Sequence, residues 1–128
     1  MLSFTDIFAT NETKYTRIYF ENLFLVIFAR LKVKKEFKKY GVIDSIIFLE
    51  KRKLESHYNL YKKIDIALDT FPYNGVTTTF EALSMGVPVI TMKGYNFNSR
   101  CGESIIKNLG IENLIGNNEE DYILKAQN

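Results

Sequence analysis

The chain has 128 residues, long enough for one compact α/β domain with its own core and too short for two full domains. With 46% hydrophobic and 25% charged residues it has the composition of a globular rather than a disordered protein, and a net charge of +2 leaves no footprint for nucleic acid. One cysteine, Cys101, excludes an internal disulfide framework and suits a reducing compartment; one histidine, His57, leaves no cluster for zinc. The apolar run 23–29 is far below the roughly 20 residues that span a bilayer. A cytoplasmic protein with no metal, cofactor, nucleic-acid or membrane partner is the expectation.

Residues 1–17 are polar and turn-prone, with no predicted element, and stand apart as a poorly defined segment from a folded unit over 18–128. The apolar block 18–31 suits either a buried strand or a short helix, and the aromatic and β-branched content of 24–28 favours a strand there. A helix follows over 32–40, stopped by Gly41; its lysines 32, 34, 35, 38 and 39 read as a solvated face. Strands are predicted at 45–49, 64–69 and 89–92, and helices at 54–62, 78–85, 99–108 and 119–125. Gly86 and Gly110 act as stop signals and Asn118 as an N-cap. Strands alternating with helices predict a Rossmann-like parallel sheet with flanking helices and right-handed crossovers.

The densest signal lies in residues 65–92, DIALDTFPYNGVTTTFEALSMGVPVITM. An apolar strand is broken by Pro72, Asn74 and Gly75, and three threonines, Thr77, Thr78 and Thr79, open the next helix. Gly75 lets backbone approach a ligand closely. Hydroxyls beside unpaired N–H groups at the positive end of a helix dipole suit a phosphate. Glu81 falls one helical turn after Thr77 on the same face, where a carboxylate can accept two hydrogen bonds from a vicinal diol. Asp65 and Asp69 flank the strand without forming a paired acid and base, and Cys101 reads as a small buried residue.

This stretch resembles the C-terminal catalytic region of the O-GlcNAc transferase and SPINDLY-like glycosyltransferases. The likeness continues through Ser99, Arg100, Gly102 and Ser104, then Asn108 and Gly110, then Glu120, Asp121 and Tyr122; upstream it takes in the 46–49 strand and Glu55, Ser56 and His57. The resemblance implies part of the C-terminal lobe of a GT-B fold and metal-independent inverting transfer from a UDP-sugar, UDP-GlcNAc by kinship, to a protein Ser or Thr hydroxyl. It also implies donor-binding roles for His57, Asn74, Gly75, Thr77, Thr78 and Glu81. The family's donor-contacting lysine aligns at Leu54, which makes the adjacent Lys53 the electrostatic candidate. Val76 stands where animal members have histidine, removing one polar contact. No catalytic base is assigned. Three readings remain open: a donor-binding region, either a gene fragment or a subunit served by a partner chain that supplies the other lobe; a non-catalytic nucleotide-sugar-binding module; and an inactive fragment.

Overall fold

The computed structural model describes residues 6–10, 17–21, 26–48 and 54–128. Its strands are β1 (Asp6–Thr10), β2 (Arg17–Glu21), β3 (Ile46–Phe48), β4 (Ile66–Leu68), β5 (Val89–Met92) and β6 (Ile115–Gly116). Its helices are α1 (Val26–Lys39), α2 (Leu54–Tyr61), α3 (Val76–Ser84), α4 (Cys101–Asn108) and α5 (Glu119–Gln127). The strands form one sheet in the order β3-β2-β1-β4-β5-β6.

Strands β4, β5 and β6 run parallel, with Ala67 opposite Val89 and Thr91 opposite Ile115. Val89, Ile90 and Thr91 are all buried, as expected of a central strand covered on both faces. Leu60, Tyr61 and Ile64 from α2 and its exit meet Ala67, Val89 and Ile115 from the strands and Ala82 and Ile106 from α3 and α4. Each large apolar side chain buried in this core contributes about 1.5–3 kcal/mol. Gly41, Gly86 and Gly110 end their helices at φ of +69°, +80° and +71°, a region closed to most side chains.

Several boundaries differ from the sequence-based expectation. The strand favoured at 24–28 is corrected, because Val26–Phe28 opens α1 while 24 and 25 lie outside the described residues. Nothing between Val26 and Gly41 breaks a helix, so apolar and lysine-rich halves join in one 14-residue element. Within residues 1–17, Asp6–Thr10 is a strand that runs antiparallel to both β2 and β4. The parallel sheet is thus extended by an antiparallel pair, itself followed by the parallel partner β3. Helix α3 starts two residues before the predicted Thr78, and α4 starts at Cys101 rather than Ser99. Ser99 is consumed in a one-turn segment, Phe97–Ser99, closed by a reciprocal Asn96–Ser99 capping box.

Candidate functional site

The parallel strands deliver their C-terminal ends to one edge, where an open α/β sheet presents its ligand crevice. Asp69 leaves the end of β4 buried, at 7% exposure. One carboxylate oxygen accepts the Gly75 N–H at 2.9 Å and the other accepts the Thr91 hydroxyl of β5 at 2.7 Å. Its backbone carbonyl accepts the Tyr122 hydroxyl of α5 at 2.9 Å. Burial dominates these hydrogen bonds and lifts the Asp69 carboxyl to about 6 from an ordinary 3.8. Burial and the neighbouring Asp69 charge push the Tyr122 phenol up as well.

Asn74 is equally buried, and both ends of its amide are engaged. Its Oδ1 accepts the Gly102 N–H of α4 at 3.0 Å, and its Nδ2 donates to the Thr70 carbonyl at 2.9 Å. Its backbone N–H donates to the Asn98 carbonyl at 3.0 Å. Asn74 therefore ties the loop after β4 to α4. The Phe71–Pro72 peptide in this loop is cis.

Gly75 is the N-cap of α3, so no side chain caps that helix. The first internal bond runs from the Thr79 N–H to the Gly75 carbonyl, leaving the N–H groups of Val76, Thr77 and Thr78 without a partner inside the helix. Thr77 is exposed, Thr78 donates its hydroxyl to the Gly75 carbonyl at 3.2 Å, and Thr79 turns into the interior. A cavity of about 330 Å³ lies over this turn, lined by Asn74, Gly75, Val76, Thr77 and Thr78 and closed by Phe97, Asn98 and Cys101. A broader depression of about 770 Å³ shares Val76, Phe97 and Cys101 and continues over Tyr95, Arg100 and Lys107.

His57 and Glu81 meet outside these two cavities, Nε2 to Oε2 at 2.9 Å, joining α2 to α3. Both are largely covered, and the imidazole packs edge-on against Tyr58 and Tyr61 at 5.6 and 5.3 Å. Of the predicted site residues, Asn74, Gly75, Thr77 and Thr78 thus share one cavity, and His57 and Glu81 form a pair. Lys53 lies outside the described residues. Cys101 is half-exposed rather than buried, because it opens α4 at the cavity wall, with its thiol donating to the Phe97 carbonyl at 3.2 Å. Arg100 points along the larger depression and binds the buried Glu103 at 2.9 Å; Arg100, with Lys107, holds the Glu103 carboxyl below its usual range. Sequence reading named Asp69 only as a strand-end acid and Gly102 and Tyr122 only as family matches, and passed over Thr91; that the four converge was missed, although an acid at the end of an apolar strand was the available sign. Among the described residues no group of His, Cys, Asp and Glu is arranged to hold a metal ion, and no helix is long and apolar enough to cross a membrane.

The sequence profile of glycosyl transferase family 41 matches residues 23–128. The chain belongs to glycosyl transferase family 41. Its family relatives include a probable UDP-N-acetylglucosamine–peptide N-acetylglucosaminyltransferase SPINDLY of Solanum lycopersicum, 49% identical over 55% of this chain and 8% of that protein. The corresponding Arabidopsis thaliana protein is 39% identical over 69% of this chain and 9% of its own length. An O-GlcNAc transferase mutant of Thermobaculum terrenum superposes with a TM-score of 0.79 at 30% identity, covering 86% of this chain and 22% of that one. The family chain thus spans under a tenth of these two curated relatives. The superposition carries the GT-B lobe assignment, with β4, β5 and β6 as its parallel sheet.

Proposed function

We propose that the cavity over the first turn of α3 binds the diphosphate of a UDP-sugar, UDP-N-acetylglucosamine first among them, as the donor half-site of a protein O-glycosyltransferase. The observation that carries this reading is the uncapped N-terminus of α3, whose free N–H groups share the 330 Å³ cavity with the Thr77 and Thr78 side chains. A helix N-terminus favours negative charge, and the exposed Thr77 hydroxyl adds a neutral donor that needs no metal, joined by that of Thr78 when it turns from the Gly75 carbonyl to the ligand. As the sugar is transferred, negative charge grows on the leaving diphosphate. Donors already fixed around it stabilise that charge without reorganising. In this reading Glu81, oriented by His57, accepts hydrogen bonds from the ribose or sugar hydroxyls, and His57 sits near the base.

The relatives' names support a peptide acceptor, and in this reading the sugar goes with inversion to one of its Ser or Thr hydroxyls, as the family resemblance implies. Because the chain matches 22% of the structural neighbour, acceptor contacts come from a further lobe or a partner chain. A half-exposed free thiol at the cavity wall fits a reducing, cytoplasmic setting. Calorimetric titration of UDP into the full 128-residue chain tests the proposal. Wild type should bind saturably, and a Thr77→Ala, Thr78→Ala double variant should bind at least about tenfold more weakly, since a hydrogen bond to a charged group is worth about 1.5–3 kcal/mol. No heat from a folded wild type would overturn it.

A further inference from the structure

Asp69 lies behind the cavity, not on its lining, yet the α3 turn is fastened to it directly and the Asn98 and α4 walls are tied in through Asn74 and Gly102. Its carboxylate holds Gly75, the N-cap of α3, and Thr91 of β5; its carbonyl holds Tyr122 of α5. The α4 backbone presses against the same oxygen, since a Cβ on Gly102 would stand 2.2 Å from Asp69 Oδ2. Gly102 in turn donates to Asn74, whose other contacts close the loop. We propose that Asp69 is the positioning residue of the site: through its carboxylate it fixes the opening turn of α3 against α4 and so sets donor affinity without touching the donor. This inference rests on the donor-site reading above.

The bond to Gly75 reaches the residue whose carbonyl starts the helix, so a small rotation there tilts all three free N–H groups together. Only the ionised carboxylate can accept from Gly75 and Thr91 as two full acceptors. Protonation turns one oxygen into a donor and loosens the arrangement. Tyr122 is the titratable group that faces Asp69 from α5, while the His57–Glu81 pair belongs to α2 and α3 and bonds within itself.

The experiment measures UDP-N-acetylglucosamine affinity from pH 5 to 8, with thermal melting alongside, for wild type, Asp69→Asn and Thr91→Val. That probe carries a diesterified diphosphate, so proton uptake near pH 6 comes from the protein. Asp69→Asn should raise Kd about tenfold and Thr91→Val about threefold at pH 7.5, with cooperative melting retained. Wild-type Kd should climb toward the Asp69→Asn value as pH falls through about 6, whereas Asp69→Asn should lack that component; the His57–Glu81 pair is common to both and cancels in the comparison. Tight binding by both variants would overturn the positioning role while leaving the donor site standing. Affinity lost only in step with the melting transition, or loss of folding in both variants, would also overturn it, reducing Asp69 to a stability element. A folded wild type that does not bind the probe would sink the donor site and this inference together.

Discussion

Asp69→Asn makes a second, independent prediction, on stability rather than binding. In the unfolded chain the Asp69 carboxyl ionises near its ordinary 3.8, and in the fold near 6. Between those values the folded state binds more protons than the unfolded one, so this group's contribution to stability falls as pH rises and the penalty is complete above about 6. At 1.36 kcal/mol per pKa unit the full penalty is about 3 kcal/mol, of which about 2 kcal/mol is relieved between pH 7.5 and 4.5. A chain of this size shifts its melting point by roughly 3–4 °C per kcal/mol. Melting followed by circular dichroism should therefore show Asp69→Asn gaining about 7 °C on wild type at pH 7.5 relative to pH 4.5. Glu103 and Asp121, held below their usual range by Arg100 and by the Asn117 N–H, slope the other way. They are present in both proteins and drop out of the difference. Parallel melting curves for the two proteins across this range would refute the buried-charge argument.

Gly102→Ala would place a Cβ 2.2 Å from Asp69 Oδ2 and 2.3 Å from Thr91 Oγ1. Overpacking of that kind costs about 1–3 kcal/mol, so the variant should melt several degrees lower and bind UDP more weakly; wild-type melting would show that α4 is free to move away. Tyr122→Phe removes the hydroxyl bonded to the Asp69 carbonyl, and its urea midpoint should fall by about 1 kcal/mol of stability with the slope unchanged. An unaltered midpoint would show that α5 does not support the site.

The legible parts of the fold were those where local chemistry and tertiary environment agree. Gly86 is both a local stop signal and an observed left-handed residue, and the run from Val87 to Ile90 is apolar because its surroundings are covered on both sides. The strand at Asp6–Thr10 was not legible, because Ile7, Phe8 and Ala9 make too short an apolar run among polar neighbours to announce it, and its pairing with β4 is non-local. A similar limit applies at the site. Thr77 and Thr78 declare themselves by their position after Gly75. Asn74, read as a ligand contact, spends its amide on Thr70 and Gly102, and that partner is 28 residues away. Asp69 looked like a strand-end acid, since nothing in the sequence says that Thr91, Gly102 and Tyr122 converge on it.

The opening of α3 departs from what stability alone would select. Gly75 caps the helix with no side chain, where Ser, Thr, Asp or Asn would add a few tenths of a kcal/mol and occupy a free N–H. The nearest candidate cap, Asn74, faces the other way, and the nearest carboxylate, Asp69, is buried behind the turn at a cost of its own. Placing an acid at the cap would satisfy the free N–H groups and put a negative charge where we propose that a diphosphate binds. Setting the acid one layer back avoids that conflict: Asp69 uses one N–H, that of Gly75, to orient the turn and leaves the next three open. Stability is given up chiefly at Asp69 and slightly at Gly75, and both choices leave the same helix N–H groups open, which is where such departures concentrate if the end serves a ligand as proposed.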